Sequence, residues 1–279
     1  MRISIRHETR YEYEEPANSA VIRLRLMPPN TSAQTVQNWA VSINETPIER
    51  WISGGYGDAE ALWRASGKLS GIHIVAEGDV TTVDTAGVSR RAQPAMRPLL
   101  FLRNTPLTKP SEALKALAEG VYKPSNALDS MHRLCSAVHE VIKFKPGSTT
   151  FATTASEALE RGVGVCQDQA HVFIAAARLL GIPARYVTGY LRDPDRPDDE
   201  HDPHAWTEAW VEELGWVAFD SSLGHCPVEG HVSLTVGLDA QDAAPIRAVV
   251  SHGGGVQLSS DVQIAALPLD QLAQTQTQQ

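Results

Sequence analysis

Cysteine is scarce in this chain of 279 residues: there are three, Cys135, Cys166 and Cys226. An odd, irregularly spaced set builds no disulfide framework, so the fold must rest on its own core. No Cys-x-x-Cys pair and no His-Glu-x-x-His run is present, which removes the common local signatures of zinc sites. Cys166, His201, His204, His225 and Cys226 could in principle supply zinc ligands. No recognised spacing joins them, and the expectation is no metal and no cofactor. Long apolar runs are missing too. No stretch of ~18 apolar residues could span a bilayer. The charged, alternating start from Met1 to Glu8 lacks the apolar core of a signal peptide. Positive charge is short: 24 Lys and Arg against 33 Asp and Glu leave a net charge of −9. With no basic stripe, nucleic acid and anionic membrane surfaces are poor partners. These absences together point to a cytoplasmic protein.

What is present divides in two. A chain this long can bury roughly three quarters of the surface its unfolded form exposes, as one large or two ordinary domains. Residues 1–90 read as β: Ile3, Ile5 and His7 alternate with polar neighbours, as do Ile22, Leu24 and Leu26. Further strand candidates run from Gln37 to Ile43 and from Ile72 to Glu77, with turn signals at Pro28-Pro29-Asn30 and Gly54 to Asp58. Short strands between turns suggest a small β-sandwich, with Trp39, Trp51 and Trp63 as core aromatics. Residues 91–110, punctuated by Pro94, Pro98, Pro106 and Pro110, read as a linker. Helical periodicity follows, with Ser111 as an N-cap and Thr154 and Glu157 as a capping box. Leu128 to Ile142 outlines an amphipathic helix that puts Cys135 on its apolar face. The core domain is expected over 111–268 and a disordered Gln/Thr-rich tail over 269–279.

The stretch from Gly162 to His171 organises the second half. Gly162 and Gly164 approach Cys166, and Ala170, Phe173, Ile174, Ala177 and Leu180 then repeat on one helical face. The helix should end at Gly181, before Pro183. Cys166 therefore sits at a helix N-terminus, where free N–H groups and the macrodipole favour a thiolate. A cysteine nucleophile needs a base and an orienting group. His204 opens a strand-like run to Val211. Gly215 to Phe219 reads as a second strand ending at Asp220, and a hairpin would set His204 beside Asp220.

The blocks Gly164-Val165-Cys166-Gln167-Asp168, Gly181 to Tyr190, His204-Ala205-Trp206 and Gly215 to Asp220 resemble the bacterial transglutaminase-like superfamily in order and spacing. Residues 1–90 resemble the β-rich domain that often precedes that core. The resemblance implies an α+β fold with a papain-like core, a nucleophile helix packed on an antiparallel sheet. It implies a Cys166–His204–Asp220 triad that carries out acyl transfer from peptide or protein amides through a thioester, without a metal. The backbone N–H of Cys166 is one oxyanion donor; the sequence names no second. Gly164, Gln167 and Trp206 are candidates for the substrate cleft. Hydrolysis is expected over cross-linking, because water needs no binding site of its own. A true transglutaminase and a catalytically silent scaffold are the alternatives. The chain continues Asp220-Ser221-Ser222-Leu223 where many family members have Asp-Pro-Thr-Asn. Asp193 to Asp202 form an acidic loop before His204, a candidate cleft rim that contains the rival histidine, His201.

Overall fold

A computed structural model describes residues 1–91, 96–193, 203–251 and 254–267. The chain begins with a 26-residue strand, β1 (Arg2–Met27), followed by β2 (Gln34–Ile43), the short β3 (Thr46–Pro47) and β4 (Ile52–Ser53), and β5 (Ala59–Thr82). In β1, Ile3, Ile5, His7 and Thr9 point inward and are buried, as period-two alternation requires. The pairing of β1 with β5 shifts register between Glu12 and Ala17, between Ala17 and Ser19, and between Leu24 and Met27. Such bulges bend a long strand. Side chains from both halves of β1, including Ile3 and Ile22, thus meet in one buried cluster.

Two turns of 3-10 helix, Pro98–Leu102 and Pro106–Thr108, lead to α1 (Glu112–Val121) and α2 (Ala127–Val141). Ser111 accepts from the N–H of Leu114, and Asn126 accepts from that of Asp129, so each helix starts on a side-chain cap. Then come β6 (Lys143–Phe144), α3 (Ala155–Arg161), β7 (Val163–Gly164) and α4 (Cys166–Leu179). The Thr154–Glu157 capping box opens α3, and Gly162, at φ 64°, closes it in the left-handed conformation. A four-stranded antiparallel sheet in the order β10-β9-β8-β11 packs on α4. Its strands are β8 (Ala184–Leu191), β9 (His204–Val211), β10 (Gly215–Phe219) and β11 (His231–Gly237). No helix among the described residues is long and apolar enough to cross a membrane; this says nothing of a β-barrel.

Three expectations are corrected. The core does not extend to 268: β12 (Ile246–Ser251) and β13 (Val256–Leu267) return to pair with β1, completing the seven-stranded N-terminal sheet. The long β1 would otherwise leave one edge of N–H and C=O groups unpaired. Residues 98–110 are not a free linker. Phe101 is buried, and Arg178 of α4 donates to its carbonyl (2.8 Å) and to the hydroxyl of Thr108 (2.9 Å). Finally, α4 buries more than the one face its apolar repeat marks: every residue from Asp168 to Arg178 is buried. The proposed tail over 269–279 lies outside the described residues.

The two halves share their cores. Tyr190, Val232 and Leu234 join the cluster of the N-terminal sheet. Gln34 donates to the carbonyl of Ser233 and accepts from its N–H. Arg25, 1% exposed, pairs with Asp58 and donates to the carbonyls of Asp242 and Val236 (both 2.6 Å). Removing one member of a buried pair leaves the other charged and unmatched. Arg25→Ala should therefore cost about 3–5 kcal/mol in urea unfolding. A loss under 1 kcal/mol would show that this bridge does not hold the halves together.

Candidate active site

Cys166 is the first residue of α4. Helix geometry leaves the N–H groups of Cys166 and Gln167 without intrahelical acceptors. The turn before it is locked by Asp168, whose Oδ2 accepts from the N–H of Val165 (2.8 Å) and the hydroxyl of Thr149 (2.6 Å). Asp168 is thus the structural cap of the helix. His204 opens β9 and Asp220 follows β10, and the antiparallel register pairs Phe219 with Thr207. The hairpin turn from Glu212 to Leu214 brings the two together across the sheet.

His204 Nε2 donates to Asp220 Oδ2 at 2.6 Å, and the ring also interacts with the sulfur of Cys166. With Nε2 committed to the carboxylate, Nδ1 is left to exchange a proton with the thiol. Burial disfavours a charged ring, but the bond and charge of Asp220, helped by Cys166, push the His204 pKa up to about 10. Burial opposes the Asp220 charge in turn. Hydrogen bonds from His204 and His231 overcome it and hold that carboxyl well below the usual range. The arrangement is a nucleophile, an imidazole and a carboxylate in series.

Two family models match the chain, one for the transglutaminase-like superfamily over residues 115–221 and one for the bacterial transglutaminase-like N-terminal region over residues 3–81. The chain belongs to the transglutaminase-like superfamily. The uncharacterized protein ML0607 of Mycobacterium leprae is 28% identical over 280 residues, which span 95% of this chain and 99% of that one. The uncharacterized protein Rv2569c of Mycobacterium tuberculosis is 27% identical over 289 residues, 94% of this chain and 92% of that one. A solved structure of a candidate cysteine protease from Cytophaga hutchinsonii matches with a TM-score of 0.74 at 24% identity, covering 97% of this chain and 92% of that chain. At that identity the match concerns the fold, which is α+β with a transglutaminase-like core behind an N-terminal sheet domain.

Within this transglutaminase-like core the structure adds a residue that the sequence reading missed. His231, at the start of β11, brings its Nε2 to 3.0 Å from Asp220 Oδ2. Its Nδ1 accepts from the N–H of Val228 (3.2 Å), so Nε2 carries the hydrogen that is donated to the carboxylate. Asp220 Oδ1 accepts from the N–H and hydroxyl of Ser222 (2.9 and 2.6 Å) and the N–H of Leu223 (3.4 Å). One oxygen closes the turn and the other serves the imidazoles. A histidine eleven residues past the acid carries no local signal of this role.

His204, Asp220 and His231 hold ligand-type atoms within 4.8 Å of one another. Ligands of a tetrahedral zinc ~2.0–2.2 Å from the metal lie roughly 3.3 Å apart. The 2.6 Å contact between His204 and Asp220 is a hydrogen bond that zinc would have to break. His225 is exposed and bonds to the carbonyl of Cys226, away from this cluster. His201 lies outside the described residues, as do Asp195, Asp198, Asp199, Glu200 and Asp202 of the acidic loop.

The cleft candidates separate. Gln167 is half-buried beside the thiol, its amide 3.5 Å from the carbonyl of Phe151. Gly164 is buried; a Cβ there would lie 2.7 Å from that of Asp168, so its smallness serves the helix cap rather than substrate approach. Trp206, 3% exposed, fills the core: it presses on Gly189, where a Cβ would meet its ring at 2.5 Å, and meets His231 edge-on.

Two outcomes follow. Cys135 is buried and its thiol is pushed up to about 12, and burial also raises Cys226. Iodoacetamide near neutral pH should therefore alkylate Cys166 first, as read by peptide mass spectrometry. Modification of Cys135 first would contradict the assignment. His231→Ala removes a hydrogen bond to a charge, at about 1.5–3 kcal/mol. Thermal unfolding should register that loss, and an unchanged melting temperature would show the contact to be idle.

Proposed function

We propose that this protein is a cysteine-dependent acyl-transfer enzyme that hydrolyses amide bonds in peptides or proteins. The observation that carries the reading is the 2.6 Å bond from His204 Nε2 to Asp220, with Cys166 on the same ring at a helix N-terminus.

The steps follow from that geometry. The sulfur of Cys166 attacks the amide carbon, and its proton resides on His204 Nδ1. The negative oxygen of the tetrahedral intermediate faces the Cys166 N–H, with the Gln167 N–H next in line at the helix end. His204 gives its proton to the leaving nitrogen, the C–N bond breaks, and a thioester remains on Cys166. Water then attacks the thioester as His204 takes its proton, releasing the acid and restoring the thiol. An amine in place of water would yield a cross-linked amide. Hydrolysis is favoured because water is abundant and needs no second binding site. The three free cysteines suit a reducing compartment such as the cytoplasm.

A chromogenic peptide amide assayed with and without a primary amine tests the reading. Acid should dominate the products in both conditions, and Cys166→Ala should yield neither. A predominant amide product would make the protein a cross-linking enzyme; no turnover across an amide panel would favour a silent scaffold. The pH profile tests the role of Asp220. Its charge raises His204, and the protonated ring is the acid that releases the amine. Asp220→Asn should therefore bring the alkaline limb of kcat/KM to lower pH and cost roughly 10²–10⁴-fold at the optimum. A limb that stays in place would contradict the assignment.

A further inference from the structure

Successive residues of the β8–β9–β10 sheet face opposite ways. Ala184, Ala209, Val211 and Val217 pack in the cluster that contains α4. Their neighbours Arg185, Trp210 and Trp216 face a cavity of about 600 Å³. The cavity lies at the seam with the N-terminal half, which contributes Tyr56 and the stretch from Ser89 to Arg91. Val88 bridges to Val217 and Arg91 to Thr31, so the backbone of that stretch is tied to both halves.

The lining has two characters. Tyr56, Phe101, Trp210 and Trp216 form aromatic walls, with Phe101 and Trp216 edge-to-face at 5.2 Å. The charged groups are mostly cationic: Arg90, Arg91 and Arg185 against Glu213. Arg185 is already satisfied. It is paired with Glu208 and lies 4.0 Å over the ring of Trp216. Arg91 differs, because its Nη1 is buried and meets no acceptor among the described residues. A buried donor without an acceptor costs about 1–3 kcal/mol, and more when charged. Among the described residues no acidic side chain is placed on that nitrogen.

We propose that this cavity binds a small monocarboxylate with a flat apolar body. The carboxylate pairs with the guanidinium of Arg91, whose planar fork matches two carboxylate oxygens. The body lies among Trp210, Trp216 and Phe101. The volume falls within the ~300–1,000 Å³ range of small-molecule sites. One guanidinium without a hydrogen-bond acceptor, in a lining that also holds the acidic Glu213, suits a single negative charge better than a phosphate. The site is separate from the thiol: Trp210 lies six residues beyond His204 on β9, about 20 Å at ~3.3 Å per residue. A free organic acid and the C-terminal residue of an apolar chain share this chemistry.

The test compares 3-phenylpropionate with its neutral amide, reading melting temperature and tryptophan fluorescence. The acid should bind saturably and raise the melting temperature, and the amide should bind at least 10-fold more weakly. Arg91→Met should remove that difference. Because it deletes a buried charge that Glu208 and Asp58 reach only at a distance and whose Nη1 has no acceptor among the described residues, the ligand-free variant should melt no lower than the parent. Short peptides ending in Phe, with free or amidated C-termini, separate the two sources. Tighter binding of the free-ended peptide than of 3-phenylpropionate assigns the site to a chain end, and the reverse assigns it to a free acid. Equal binding of acid and amide, unchanged acid binding in Arg91→Met, or no saturable binding of any probe at millimolar concentration would overturn the proposal.

Discussion

A carboxylate with no exposure to solvent must be met by hydrogen-bond donors, and Asp220 is such a group. Its Oδ2 lies between two imidazoles and its Oδ1 closes a tight turn. Much of the surrounding architecture serves to keep those donors in place. The register of β9 against β10 sets His204. The bridge between Asp220 and His225 reverses the chain and returns it toward His231. The N-terminal sheet holds β11 from behind, through Gln34 on Ser233 and through Thr82 on the carbonyl of Glu229. The N-terminal half carries no member of the triad, but it fixes the strand that carries His231.

The sulfur is placed by a different device. A helix buried from Asp168 to Arg178 must find partners for the polar side chains it carries, and each of them finds at least one. Gln169 donates to the carbonyl of Ile142, His171 accepts from the N–H of Ala240, and Arg178 donates to Phe101, Ala184 and Leu238. These bonds pin α4 to its surroundings along its length. Its N-terminus, and Cys166 with it, is left little freedom against the sheet.

The parts of this molecule that were legible in the sequence are those with local causes. Ser111 and the Thr154–Glu157 box cap the helices they announce, because capping is settled within four residues. The start of α4 and the β9–β10 hairpin are equally local, and together they bring Cys166, His204 and Asp220 into one place. Pairings across the chain were not legible. The alternation in β12 and β13 marks them as strands without naming β1 as their partner, more than 220 residues away. The burial of the polar residues of α4 was not legible, since nothing local reveals the carbonyls that Gln169 and Arg178 meet. His231 carries no motif, and its role comes from a strand neighbour. Arg91, next to a proline-punctuated stretch, reads as linker until the fold closes a cavity around it.

The central claim is that Cys166 forms a covalent bond with the acyl group under the control of His204 and Asp220. The most direct measurement is acid quenching of a peptide amide reaction in the steady state, followed by mass spectrometry of the digested protein. The account predicts the mass of the acyl group on the peptide that contains Cys166, discharged by hydroxylamine and absent in His204→Ala. Turnover with no adduct on that peptide, or turnover that survives in Cys166→Ala, would contradict it.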